Sequence, residues 1–340
     1  MKQHTYERFQ GIWWGGIMGM QIEPKNFSAQ PDWLLKRRQI AKILLETERL
    51  ETDDPALQLR IQQIINLERV DNLTDRGEFP IAKNSNKVTP ARQELNNKLL
   101  LNNCNLLSLL PLIIFLSDNH QLFSQIIHKY NLKSVNSFDN AEMKQDILIW
   151  SYLITFGLSH QFSAQPTNLA LAIERILNNL DIPETLLVKK LTLVVEAVNN
   201  GTGLHQLVNK ISSSGNIQQT AIALACYCFI TTPNDFKLSI TRTLYLQPQI
   251  TWLTAALTGT LSGAYNGLTG IPWNWRSSFC HNPDLSSENQ LIEQLFKKWL
   301  GIYSIHSNED FYNQKLCAVA IPQIIQPRIN LKIISQKFRL

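Results

Sequence analysis

The feature that most constrains this chain is a run of small residues spaced four apart. Between Gln249 and Trp275 it reads QITWLTAALTGTLSGAYNGLTGIPWNW, with Ala255, Gly259, Gly263 and Gly267 at successive steps of four. Positions four apart on a helix lie one above another, so these residues form a smooth ridge where a second helix or a ligand can approach the backbone closely. Gly267 and Gly270 supply the stop, and Pro272 prevents continuation. The opening segment RFQGIWWGGIMG, Arg8 to Gly19, repeats the spacing with Gly11, Gly15 and Gly19. It predicts a helix packed tightly in the centre of the fold.

Elsewhere apolar residues recur three and four apart, in Trp33 to Leu50, Leu57 to Leu67, Leu122 to Ile127, Ile147 to Leu158, Leu169 to Leu180 and Leu187 to Val198. Strand-like alternation is nearly absent, so the expected fold class is all-α. Asp54 followed by Pro55 reads as a helix start, and Pro233, Asn234 and Asp235 separate two helices. Short connections predict that successive helices pack as neighbours. With 340 residues, 44% of them hydrophobic, the chain can bury a sizeable core. The expected organisation is one helical domain over residues 1–310, with a polar loop or insertion at 71–88, and a basic extension over 311–340. That extension carries Lys315, Arg328, Lys332, Lys337 and Arg339 without an acidic residue. It reads as a solvated segment lying along the helical body.

Leu99 to Leu116 is the most apolar stretch, but Asn102, Asn103, Asn105 and Pro111 suit a buried helix rather than a bilayer span. Met1 to Met20 lacks the pattern of a signal peptide. A net charge of +5, spread through the chain, falls short of the dense basic face of a nucleic-acid binder. Neither a membrane nor nucleic acid is an expected partner. Five cysteines (Cys104, Cys226, Cys228, Cys280 and Cys317) include no repeated CxxC pair. Cys226 and Cys228 point to different faces of a helix. Reduced, buried thiols fit a cytoplasmic location.

The 249–275 segment resembles a stretch of the ADP-ribosylglycohydrolase family, GDTDTNAAIAGALAGAYYG followed by an IP and an aromatic residue. Ala255, Ala256, Gly259, Leu261, Gly263, Ala264, Tyr265, Gly267, Ile271, Pro272 and Trp275 fit it. The preceding Ala221 to Leu246 resembles the family's helix, short SPEDF-type connector and following helix, with Pro233, Asp235 and Phe236 in the connector. The opening RFQGIWWGGIMG resembles the family's RFRGALLGLAIGDALG. The resemblance implies an all-helical fold and, in active relatives, a magnesium-dependent hydrolase that cleaves the glycosidic bond of ADP-ribose.

The matched motifs lack the metal ligands that the resemblance implies. Ile250 and Trp252 stand at the two aspartate positions, flanked by Gln249 and Leu253, and Thr251 keeps one hydroxyl. Met20 replaces the aspartate of the opening motif, and Glu23 the following glycine. Hard cations need oxygen ligands, which isoleucine and indole do not supply. Met20, Ile250, Thr251, Trp252 and Leu253 therefore mark a remnant cleft. Thr52, Asp53 and Asp54 resemble the family's upstream TDDT motif, making Asp53 and Asp54 the metal candidates, although capping ahead of Pro55 explains Asp54. Ala141 to Leu158 has no match to the family's central histidine, and His160 stands alone.

The resulting expectation is a non-catalytic relative with a binding or regulatory role and no cofactor. Its ligand would be ADP-ribose, a related nucleotide or a protein. The alternatives are an active hydrolase with a rearranged magnesium site on Asp53, Asp54 and acids such as Glu196 or Asp146, and a helical scaffold. Trp13, Trp14, Trp252, Trp273 and Trp275 lie in the matched segments, and packing in the core is expected for most of them.

Overall fold

The computed structural model describes residues 2–21, 32–46, 105–129, 140–158, 166–179, 184–211, 216–280 and 283–301. Among these residues there is no strand. The helices are α1 (Lys2–Met20), α2 (Asp32–Glu46), α3 (Asn105–Ser108), α4 (Leu110–Phe115), α5 (His120–Lys129), α6 (Asn140–Leu158), α7 (Pro166–Asn179) and α8 (Leu186–Asn199). They continue as α9 (Leu204–Ile211), α10 (Ile217–Ile230), α11 (Phe236–Thr241), α12 (Pro248–Asn266), α13 (Trp273–Cys280) and α14 (Pro283–Trp299). Short 3-10 turns occupy Arg242–Tyr245 and Leu268–Gly270. None of the helices is long and apolar enough to cross a membrane, among the described residues.

The two glycine ridges meet each other. A Cβ on Gly15 would strike the carbonyl of Gly259, and one on Gly259 would strike the carbonyl of Gly15. Gly11 faces Gly263 and Gly19 faces Ala255 in the same manner. The partner number falls as the number on α1 rises, so α1 and α12 run antiparallel with backbone against backbone. Gly267 ends α12 at φ +70°, a conformation that glycine adopts without steric cost.

This pair anchors the core. Every residue of α12 from Ile250 to Ala264 is buried, and so is every residue of α10 from Gln219 to Ile230. Helices α6, α10 and α11 pack on α12, α8 packs on α10, and α7 on α8, while α14 lies against α1 and α2. Two buried hydroxyls of α12, those of Thr258 and Thr260, tolerate burial because they bond within their own helix. Thr258 Oγ1 donates to the carbonyl of Thr254 at 2.7 Å, and Thr260 Oγ1 to that of Ala256 at 2.9 Å. Short connections are capped as the sequence suggests: Asp235 accepts from the Leu238 amide at 2.8 Å and starts α11.

One expectation changes and two gain detail. The buried helix expected through Leu116 is two short helices, α3 and α4, because Pro111 fits only the first turn of a new helix. Neighbour packing holds for each successive pair from α5 to α12, yet the tightest contact joins the opening helix to α12. Trp13, Trp14 and Trp252 are buried and Trp275 is half-buried, but Trp273 is 69% exposed. It starts α13, where its ring lies near the Arg276 guanidinium.

Candidate functional site

The antiparallel pairing brings the C-terminal end of α1 to the N-terminal turns of α12. Met20 ends α1, one residue beyond the Gly19 contact with Ala255. On the other side, Gln247 precedes α12 and Pro248 opens it, with no side-chain cap. Ile250, Thr251, Trp252 and Leu253 form the turn that follows. All five remnant-cleft residues are buried, with exposures between 2% for Met20 and 7% for Trp252.

The site's polar atoms are few. Thr251 Oγ1 donates to the backbone of Gln247 at 2.9 Å and lies 3.3 Å from the carbonyl of Leu246, so its proton stays within the chain. Thr254, which the sequence reading passed over, is fully buried, and its hydroxyl has no hydrogen-bond partner. A neutral hydroxyl and apolar side chains do not fit a magnesium ion, whose ligands are carboxylate, carbonyl or water oxygens. Among the described residues, no three His, Cys, Asp or Glu side chains gather where a metal ion could sit. Asp53, Asp54, Glu23 and His160 lie outside the described residues, as do the 71–88 segment, the 311–340 extension, Cys104 and Cys317.

The other acids named from sequence lie apart. Asp146, on α6, is buried, and its Oδ2 accepts from Gln219 Nε2 at 2.9 Å. Burial pushes its carboxyl up to about 7. Glu196 is exposed on α8, six residues beyond the buried Lys190 and on a different face of that helix. His120 stacks on Tyr152 with ring centroids 4.2 Å apart, and burial lowers its pKa. Cys226 and Cys228 are buried free thiols, and burial pushes Cys228 up to about 12.

A buried ionic knot beside α1 was not legible in the sequence. Glu288 of α14 accepts from Trp13 Nε1 and Arg37 at Oε2, the latter at 3.1 Å, and from Arg38 Nε at Oε1. Arg37 also donates to the Trp13 carbonyl at 3.1 Å, and its guanidinium lies 4.2 Å from the Trp13 ring centroid. Burial pushes the Glu288 carboxyl up, but the Arg37 charge and the bonds from Arg38 and Trp13 hold it below its ordinary range. Burial lowers Arg37 to about 10. Both carboxyl oxygens of Glu288 are engaged, so the group ties α1, α2 and α14 together and has no free oxygen for proton transfer.

The family model described as ADP-ribosylglycohydrolase matches residues 148–303. The chain contains an ADP-ribosylglycohydrolase family domain. No curated protein matches the chain. The matched region includes α12 with Ile250 and Trp252, whereas α1 precedes it and packs onto it. The matched residues thus have the all-helical fold of that family here, and apolar side chains fill the first turns of α12.

Proposed function

We propose that this chain is a non-catalytic ADP-ribosylglycohydrolase-fold protein with a binding or regulatory role, acting in the cytoplasm. The observation that carries this reading is the burial of Ile250 and Trp252 in the first turns of α12, at the positions where the resemblance implies carboxylates. Apolar side chains packed there supply no oxygen ligand for magnesium, and no metal-binding group of three His, Cys, Asp or Glu gathers among the described residues. The ligand proposed is ADP-ribose or a related nucleotide, with a protein partner as the other outcome. Nucleic acid and membrane are not proposed.

Thermal denaturation with ADP-ribose, with and without magnesium, tests the binding role. Saturation at one hundred times the dissociation constant adds about 2.7 kcal/mol of stability. A shift independent of magnesium supports the reading. Absence of a shift with ADP-ribose and with other nucleotides turns it toward a protein-binding scaffold, and a shift only with magnesium contradicts it.

A further inference from the structure

Helices α6, α8 and α10 each contribute to a buried polar cluster that the remnant cleft does not use. Asp146 is 1% exposed and Gln219 2%, with Lys190 and Thr220 buried beside them in the sequence of contacts. Gln219 Nε2 donates to Asp146 Oδ2 at 2.9 Å, and Lys190 Nζ donates to Thr220 Oγ1 at 2.6 Å. Two buried oxygens are left without hydrogen-bond partners: Asp146 Oδ1 and Gln219 Oε1.

These two oxygens belong to side chains already joined by one N–H···O bond, and both are acceptors when the carboxylate is ionised. A carboxylic acid and a primary amide have complementary edges. The acid O–H can meet the amide carbonyl while the amide N–H meets the acid carbonyl, so one proton satisfies both oxygens. We propose that Asp146 and Gln219 form such a cyclic acid–amide pair, with a proton on Asp146 Oδ1 donated to Gln219 Oε1, and that this proton is a pH-sensitive clip between α6 and α10.

The surroundings favour retention of the proton. Burial is the largest influence raising Asp146, and Glu142, one turn earlier on α6, adds to it, while the Gln219 bond and the Lys190 charge act the other way. Helices α4 and α12, which pack on α6, carry no ionisable side chain apart from Tyr265 near the end of α12. On α5, His120 stacks on Tyr152 of α6, and on α7 both Glu174 and Arg175 are exposed. Arg8 of α1 donates to the Gly157 carbonyl at the opposite end of α6. Lys189 and Glu196 on α8 are exposed, and α10 offers only Tyr227, Cys226 and Cys228, two or more turns beyond Gln219.

The sign follows from the two states. An unfolded aspartate titrates near about 3.9, and the folded group is raised to about 7. The clip's stabilisation is full below the unfolded value, declines as pH rises and is lost once pH has passed the folded value. Asp146→Asn keeps a cyclic amide–amide pair but has no proton to titrate. Melting temperatures of wild type and D146N compared from about pH 5 to about pH 9 should show the wild type falling relative to the variant up to about 7, then levelling. A wild type that gains on the variant as pH rises, or a difference that does not change with pH, overturns the proposal in favour of an ionised Asp146 facing Lys190. Should D146N fail to fold, carbon-13 labelling of the aspartates in the wild type decides. One carboxyl resonance still protonated at about pH 5 and titrating near 7 supports the clip, and every aspartate ionised at the lower pH overturns it.

Discussion

Replacing Gly15 by alanine isolates the packing on which the fold depends. A Cβ there would lie 2.7 Å from the Gly259 carbonyl carbon, with the carbonyl oxygen closer still, whereas real Cβ contacts essentially never fall below 3.0 Å. The obstacle is backbone, so no side chain can rotate away, and α1 and α12 must separate by several tenths of an ångström along their contact. Overpacking of this kind costs about 1–3 kcal/mol, and parted helices also lose dispersion contacts. Alanine regains about 1 kcal/mol of helix propensity over glycine. The expected net effect is a loss of about 2 kcal/mol, read as a lower urea midpoint at unchanged slope. Gly203→Ala, just ahead of α9, is the open-space control, because nothing lies within 4 Å of a Cβ at that position. Since Gly15 and Gly259 collide with each other's backbone, the G15A/G259A double variant should lose less than the sum of the single losses, as one separation relieves both clashes. Equal midpoints for Gly15→Ala and Gly203→Ala would refute the backbone-contact reasoning.

Other expectations follow from the same contacts. Glu288→Gln leaves Arg37 fully buried without its counter-charge and should cost about 3–5 kcal/mol by urea denaturation. The depressed Glu288 carboxyl stabilises the fold above its unfolded pKa, so its contribution should disappear as pH falls through the folded value, the opposite sign to Asp146. Trp252→Ala should destabilise the fold by about 3–5 kcal/mol if the indole fills the remnant cleft, while an indole resting in an open pocket would give a loss near zero. Thr251→Val should change stability by less than about 1 kcal/mol, because the hydroxyl only bonds back to the backbone of the preceding turn, at Leu246 and Gln247. Cys226 and Cys228 should resist alkylation in the native protein and react once it is unfolded; rapid labelling of folded protein would contradict their burial.

Much of the fold was legible because its strongest device is local. Four-residue glycine spacing is visible in the chain, and so are the Gly267 stop and the Asp235 cap, each decided by residues within a turn or two. The identity of the ridge's partner was not, since Gly15 and Gly259 are far apart in sequence. The Arg37–Glu288 pair spans 251 residues, and nothing near Glu288 distinguishes it from the solvated acids of an amphipathic helix. Asp146 and Gln219, 73 residues apart, share that difficulty. Met20, Ile250 and Trp252 were legible as departures from the motifs the chain resembles, but their burial depends on the antiparallel approach of α1 to α12. Thr254 escaped notice because its burial, and not its residue type, makes it unusual.

The central claim is that the ADP-ribosylglycohydrolase fold persists here without the metal-dependent reaction. Its most direct test incubates the purified full chain with ADP-ribosylated arginine and serine peptides in millimolar magnesium and measures released ADP-ribose. The account predicts release no faster than in buffer and unchanged by a chelator. Release that requires magnesium and stops on chelation would contradict it.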